Sequence, residues 1–381
     1  MALGGGVGPY GATSGSDKLL KLPLVDTLRL AWAEPELRMR IVFVLQMFAI
    51  FVLGNHLSVP IPGFSPGAVM DQLGNLPIFA LLDTFGGGGL QRLSIFALGL
   101  APYITASIIM QVLTATNPAW KKELREGGEY ARKQQNRRTR YLTVALCFFQ
   151  GFGLVNLMNS ELVPRLGFFD MFVVSMFWVT GSMFVLWLGE QISEKGIGNG
   201  VSLMIFIGII SSLPGQIGLI GHLFTEGLVA AWQIIFLIVI FLAMTWFVVM
   251  FTIAQRRIPI QHSRRMMGNR MVMSSGPNYL PLPINMAGVI PIIFAVSLVF
   301  MPATFALMLQ GTPMAGFFEE LSAFLNPASG GWKGVIGTIS YALLIFFFTY
   351  WYTAVQFNVE DIADNLKRSN SYIPGVRPGK Q

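Results

Sequence analysis

The hydrophobic residues of the chain fall into long continuous runs that short polar segments separate. A helix that crosses a bilayer needs about 20 apolar residues, and a sliding window of that length finds eight candidates. They lie at residues 40–58, 93–114, 141–159, 171–189, 200–213, 229–253, 285–309 and 336–357. Continuous runs are typical of helices, whereas the strands of a membrane barrel alternate. The pattern therefore predicts an all-α integral membrane protein with a polytopic helical bundle.

A weakly apolar segment at residues 76–92 precedes the second run. Four consecutive glycines, Gly86–Gly89, break it and make it a poor candidate for a helix that crosses a bilayer alone. Irregular backbone is tolerated at membrane depth only where protein or water surrounds it. We therefore expect a re-entrant element here.

Composition supports the membrane assignment. The chain has 381 residues, of which 53% are hydrophobic and 12% charged, and its mean hydropathy is +0.59. Soluble domains carry about 25% charged residues. The single cysteine, Cys147, allows no intrachain disulfide framework, and three scattered histidines make a zinc site a poor expectation.

The interiors of the eight runs lack Asp, Glu, Lys and Arg. Ionisable groups inside a membrane usually mark proton relays, substrate sites or catalysis, so their absence argues against an enzyme. The sequence also lacks the HExxH zinc motif and the phosphate-binding GxxxxGK[ST] loop. We expect no catalytic residue, no metal site and no cofactor.

Basic residues predict the orientation. Eight alternating spans place 23 of the 26 Lys and Arg residues in tails or loops on one face, and the exceptions are Arg92, Arg165 and Lys333. Basic residues are retained on the cytoplasmic side, so both ends of this chain are expected there. Residues 1–35 form a flexible and amphipathic cytoplasmic lead, in which no cleavable signal peptide is visible.

Two of the basic loops, 115–140 and 254–284, are much longer than ordinary helix connections. Their arginines serve as orientation signals and attract anionic lipids. Their length also favours a docking platform for a large partner, including one made of RNA.

Three amides stand in different runs: Gln111, Gln150 and Asn285. Such side chains hydrogen-bond across helix interfaces. Spacing alone favours simple packing contacts, and the alternative is a weak helix contact that separates when a guest displaces it.

Several long motifs resemble the SecY family, the large subunit of the protein-conducting channel. They are SIFALGLAPYITASIIMQVLT at 94–114, WLGEQISEKGIGNGVSLMIF at 187–206, AQRRIPI at 254–260, YLPLPINMAGVIPIIFA at 279–295 and ADNLKRSNSYIPGVRPGKQ at 363–381. The resemblance runs in the family's order from about residue 36 to the end.

The resemblance implies the SecY fold, in which two inverted halves of five spans enclose a pore. The first half would be residues 36–213, with the plug at 76–92. An incomplete second half of three spans would be residues 214–381, with a cytoplasmic loop at 254–284 and a C-terminal loop at 358–381. Eight of the family's ten spans would then be present. Either a fragment or a naturally truncated product would explain this.

The resemblance also assigns site residues. A pore ring would consist of Leu100, Ile104, Val201, Ile205 and Ile293. The plug would run from Phe79 through Phe85, Gly86 and Gly87 to Leu90. The polar cluster of the lateral gate would be Gln111, Gln150 and Asn285, which favours the separable contact over simple packing. The surface that meets the ribosome and the motor would contain Arg256, Arg257, Arg264, Arg265, Arg270 and Arg377. At one loop tip, Asn269-Arg270 replaces the two adjacent arginines common in the family.

The implied function is that of the pore-forming subunit of the Sec translocase, which conducts unfolded polypeptides across and laterally into the cytoplasmic (inner) membrane of a bacterium. The implied partners are the SecE and SecG small subunits, the SecA motor ATPase, the ribosome with its nascent chains, signal peptides and membrane lipids. A secondary transporter with broken helices is the alternative, and saturable uptake of a small solute would favour it. An enzyme is the third and least favoured of the three functional classes.

Overall fold

The computed structural model describes residues 29–30, 32–61, 86–161, 166–262, 265–267, 270–272, 279–309, 312–327, 329–356, 363, 366 and 371–374. The helices among them are α1 Pro35–Asn55, α2 Ala101–Thr116, α3 Pro118–Glu126, α4 Gly128–Glu161, α5 Phe168–Lys195, α6 Gly200–Thr225, α7 Ala231–Ile253, α8 Ile290–Met308, α9 Pro313–Leu325 and α10 Gly331–Gln356. The strands are β1 Gln255–Pro259, β2 Gln261–His262, β3 Arg265–Met267, β4 Arg270–Val272, β5 Tyr279–Pro283 and β6 Ser371–Tyr372.

Five helices in the described part of the chain are long and apolar enough to cross a membrane, namely α1, α5, α6, α7 and α10. Two more, α2 and α8, are apolar but shorter. Helix α4 has 34 residues, and its first half is polar and basic while its second half contains the predicted run at 141–159. The helical membrane class is confirmed, and the total of eight spans remains a prediction.

The second run was predicted to begin at residue 93. This start is wrong, because α2 begins only at Ala101. The preceding residues form turns, in which Leu93 has the left-handed φ of +49°. The backbone of this segment pairs with the chain that follows α1: Val59 N–H donates to Leu93 O at 2.8 Å, and Ile95 N–H donates to Leu57 O at 2.9 Å. These tertiary hydrogen bonds replace the helical ones.

The fifth predicted run, 200–213, is also wrong at its end. Helix α6 continues to Thr225 with Pro214 inside it. A proline removes one helical hydrogen bond, but membrane helices tolerate this. The helix ends where Gly227 adopts φ +72°. Between the seventh and eighth predicted runs, the chain forms helix α9.

The chain divides into two compact units, and the larger contains Arg40–Ala243 and Ala287–Thr353. In it α4 packs against α2 and α5, α6 packs against α5, and α8 packs against α2, α4 and α9. The core includes the fully buried Trp178 of α5. The Phe51 and Phe96 rings stack with their centroids 5.9 Å apart. A side chain at Gly54 would collide with the Phe96 ring, so this glycine permits the close approach.

The smaller unit contains Met1–Met39, Met244–Met286 and Ala354–Gln381. Strands β1 and β5 pair antiparallel, with Arg257 opposite Pro281. Strands β3 and β4 form a second antiparallel pair. The third pair joins β2 to β6, with Gln261 opposite Tyr372, so the 254–284 loop and the C-terminal loop meet in one structure.

Candidate functional site

A cavity of about 80 Å³ lies among α2, α4, α6 and α8 in the larger unit. Four of the five predicted ring residues line it: Leu100, Ile104, Ile205 and Ile293. They come from three helices that are far apart in sequence. The fold therefore brings four side chains to one cavity. In the sequence, only the resemblance to the SecY family had grouped them as a ring.

Helix geometry explains how two helices contribute to this cavity. Leu100 caps the start of α2, and Ile104 follows one turn later on the same face. Val201 and Ile205 repeat this spacing at the start of α6. Val201 does not line the cavity, but it packs with Ile205 and Ile104 against the buried cluster that contains Leu100. Val201 thus shares this packing cluster with Leu100, Ile104 and Ile205, outside the cavity wall.

Among the described residues, the lining of the cavity contains no charged side chain. Its polar side chains are Thr105, Gln150, Ser297 and Thr304. The Thr105 hydroxyl donates to Ala101 O at 3.1 Å and the Thr304 hydroxyl donates to Phe300 O at 3.0 Å, both within their own helices. The protons of these two hydroxyls are therefore engaged within their own helices, and most of the remaining lining is apolar.

The three gate amides have different surroundings. Gln150 of α4 lines the cavity. Gln111 donates through Nε2 to the Ser107 hydroxyl at 3.2 Å, a contact within α2. Asn285 precedes α8 and belongs to the smaller unit. The cluster of three amides therefore remains a prediction. Of the three, Gln150 is the one that lines the cavity.

Part of the predicted plug reaches the cavity. Phe79 and Phe85 lie outside the described residues. Gly86 lines the cavity, Gly87 adopts the left-handed φ of +71°, and Leu90 is buried in a core cluster with Val59. The C-terminal end of the segment is thus held next to the predicted ring.

Asn55, which is not among the predicted site residues, is fully buried at the end of α1. Its Nδ2 donates to Gly86 O at 3.0 Å and to Gly87 O at 2.7 Å. Its Oδ1 accepts from the Ser94 hydroxyl at 3.2 Å. An amide in an apolar run was a visible signal, but nothing in the sequence identified glycines more than 30 residues later as its partners.

The predicted docking arginines are described only in part. Arg256 and Arg257 have exposed side chains on β1, and the Arg257 guanidinium lies 5.0 Å from the centroid of the Tyr279 ring on β5. Arg265 and Arg270 fall within β3 and β4. The remaining two, Arg264 and Arg377, lie outside the described residues.

The 115–140 loop is folded into α3 and the first half of α4. The Arg138 guanidinium lies 4.7 Å from the centroid of the Trp120 ring and 3.4 Å from the Glu123 carboxylate, so α3 is held against α4. Near the start of α4, Lys133 donates a hydrogen bond to the Glu129 carboxylate. This hydrogen bond and the positive charge of Lys133 lower the pKa of the Glu129 carboxyl. This loop is therefore an ordered, charged surface.

Comparison with known proteins decides the family. A model of the SecY family matches residues 94–381. The chain belongs to the SecY family. A SecY relative, the protein translocase subunit SecY of Staphylococcus aureus (strain NCTC 8325 / PS 47), is 37% identical over 369 residues, which cover 94% of this chain and 82% of the relative.

Solved structures share the SecY fold. One described as a protein-conducting channel has a TM-score of 0.66 and 19% identity, with 88% of this chain and 77% of that chain covered. Sec61 in the canine ribosome–channel complex has a TM-score of 0.62, with the same identity and coverage. SecY-family membership confirms the predicted helical channel fold and the translocase function. The chain is a channel subunit and not an enzyme, and the transporter alternative is set aside.

Proposed function

We propose that the cavity among α2, α4, α6 and α8 is the constriction through which this translocase subunit conducts unfolded polypeptides. One observation carries the proposal: Leu100, Ile104, Ile205 and Ile293 converge on a cavity that has no charged side chain among its described lining residues. Val201, packed beside Ile205, completes the ring. Gly86, at the C-terminal end of the plug, contributes to the same lining.

Aliphatic side chains suit both tasks of such a ring. A narrow apolar passage excludes ions because water does not fill it readily. Contacts between aliphatic side chains are also non-directional, so a passing polypeptide separates them without leaving an unpaired polar group. A signal peptide would leave sideways into the lipid at the lateral gate, where Gln150 and Gln111 would contribute hydrogen bonds between gate helices.

The surroundings support a membrane setting with further subunits. No residue of the apolar stretch of α7 is buried by the part of the chain that the structure describes. Lipid or a neighbouring subunit must cover it. We assign these contacts to membrane lipids and to the small subunits SecE and SecG. The membrane would be the cytoplasmic membrane of a bacterium, with the basic loops on the cytoplasmic side.

The paired strands β1 and β5 of the smaller unit would receive the cytoplasmic partners. Arg256 and Arg257 present exposed guanidinium groups on β1. Arginines of this kind suit the phosphates of ribosomal RNA and the carboxylates of a motor protein such as SecA. A fold relative, Sec61, was solved in a ribosome–channel complex. Arg264, Arg265, Arg270 and Arg377 would extend the same surface.

Site-specific photocrosslinking tests the conduction path. A photoreactive amino acid at Ile205 should crosslink to a polypeptide arrested during translocation. The matched control is Ile240 on α7, which is 43% exposed and does not line the cavity. Efficient crosslinking from Ile240 with none from Ile205 would contradict the proposed path.

A further inference from the structure

We propose that Asn55 is a positioning residue for the closed channel: its amide holds the backbone turn Gly86–Gly89, called here the glycine turn, as part of the cavity wall. The inference rests on the proposed function, because the consequence it predicts is an ion leak through the constriction. It concerns only described residues of the larger unit.

The amide of Asn55 is fully engaged. Both donated hydrogen bonds go to the glycine turn, to the carbonyls of Gly86 and Gly87, while the carbonyl oxygen of the amide accepts from Ser94. The Ser94 carbonyl in turn accepts from the buried Trp178 Nε1 at 3.1 Å. A primary amide has two N–H groups and one carbonyl, so these contacts use all of its groups.

The glycine turn needs backbone angles that glycine adopts easily. Gly87 and Gly88 have φ of +71° and +79°, a region that other residues rarely adopt. A side chain at Gly87 would place its Cβ 2.8 Å from Asn55 Nδ2 and 3.2 Å from the Cα of Gly208 on α6. The glycine turn is therefore pressed between the Asn55 amide and the backbone of α6.

The same turn forms part of the cavity wall. Gly86, whose carbonyl accepts from Asn55, lines the cavity together with Leu100, Ile104 and Ile205. At the far end, Ser94 N–H donates to Gly89 O at 2.8 Å. Removing the Asn55 donors would take a partner from two carbonyls in a buried site, and such groups move toward water when they lose their partners. The wall would loosen beside the ring.

Two variants test this in the complete chain. Asn55→Leu keeps most of the volume and removes all three hydrogen bonds, and Asn55→Asp keeps the shape but replaces the donor by an acceptor. The matched control is Ser175→Ala, because Ser175 is also fully buried but its hydroxyl donates to Met171 O within α5. Ile104→Asn serves as the reference for a leak through the ring itself.

Two readouts are measured on each variant. Hydrogen exchange followed by mass spectrometry reports the amides of residues 86–94 and, for comparison, those of residues 178–192 in α5. Iodide influx into proteoliposomes reports the seal. For both Asn55 variants we expect about tenfold faster exchange at 86–94, no change at 178–192, and several-fold faster influx. Ser175→Ala should change neither readout.

Each other outcome has a definite meaning. Unchanged exchange at 86–94 in both variants would overturn the positioning role. Faster exchange without faster influx would show that the turn is held by Asn55 but does not control the seal, and this would also overturn the inference. If Ile104→Asn fails to leak as well, the proposed function itself fails. A leaking Ile104→Asn beside tight Asn55 variants rejects the Asn55 inference alone.

Discussion

Arg140 donates from both Nε and Nη2 to a single carboxylate oxygen of Glu190, at 3.0 and 2.7 Å, and so links α4 to α5. The side chains are 50% and 29% exposed. The two helices also pack along their apolar faces, where Val174 and Trp178 are buried with Leu154 and Val155. Ion pairs with this exposure stabilise a fold only slightly, so apolar packing dominates this helix pair.

A double-mutant cycle measures the contribution of the pair. We expect Arg140→Gln and Glu190→Gln, singly and together, to give a coupling free energy of about 0.5–1 kcal/mol in the unfolding of the detergent-solubilised chain. The coupling should decrease as salt is raised, because the pair is partly exposed. A coupling above about 3 kcal/mol, insensitive to salt, would instead indicate a desolvated pair.

Reporter fusions test the predicted orientation. Fusions within 120–138 and within the 254–284 loop should report a cytoplasmic location, because these segments hold most of the arginines. On the opposite face, a fusion at Gly227, just after the end of α6, should report an external location. An external signal from the 254–284 loop would contradict the orientation.

Local sequence patterns predicted the helices whose hydrogen bonds are satisfied within the helix. The run at 229–253 corresponds closely to α7, Ala231–Ile253. The start of α2 was missed, because residues 93–100 are apolar yet are shaped by tertiary hydrogen bonds to the chain after α1. Such partners have no local signature. The extension of α6 was missed because a proline usually ends a helix in water.

In the candidate site, too, local sequence patterns predicted some features, and only the tertiary fold revealed the others. The spacing of Leu100 and Ile104 placed both on one face of a helix, but that pattern is equally typical of ordinary core. Only the resemblance suggested a ring, and only the fold joined these residues to Ile205 and Ile293 at one cavity. Asn55 had no pattern to reveal it, because its partners are backbone carbonyls, which look alike in any sequence.

Replacing Gln150 or Gln111, two of the predicted gate amides, should change the balance between open and closed states by different amounts. Gln150→Leu replaces a polar group of the cavity lining by an apolar one, whereas Gln111→Leu removes a hydrogen bond within α2. We expect Gln150→Leu to shift the balance between open and closed states by about 1 kcal/mol, a several-fold change in population, and Gln111→Leu to shift it less. Crosslinking yield between engineered cysteines on α2 and α8 measures this. A larger effect of Gln111→Leu would contradict the prediction.

Two neighbouring glycines provide a matched pair. Gly87→Ala and Gly88→Ala both place a side chain in the left-handed region, at a cost of about 1–2 kcal/mol. Only the Gly87 side chain would also press on Asn55 and Gly208, because the space around Gly88 is open. We expect faster iodide influx with Gly87→Ala than with Gly88→Ala. Equal influx would mean that backbone strain alone, and not the Asn55 contact, determines the seal.

Single-channel conductance of Ile104→Asn in a planar bilayer tests the central claim most directly. The amide would make the apolar constriction easier to hydrate. The unaltered chain should be silent, Ile104→Val should remain silent because it keeps an aliphatic surface, and Ile104→Asn should show ion-conducting openings. A silent Ile104→Asn channel, inserted at the same density as the others, would contradict the assignment of this cavity as the constriction.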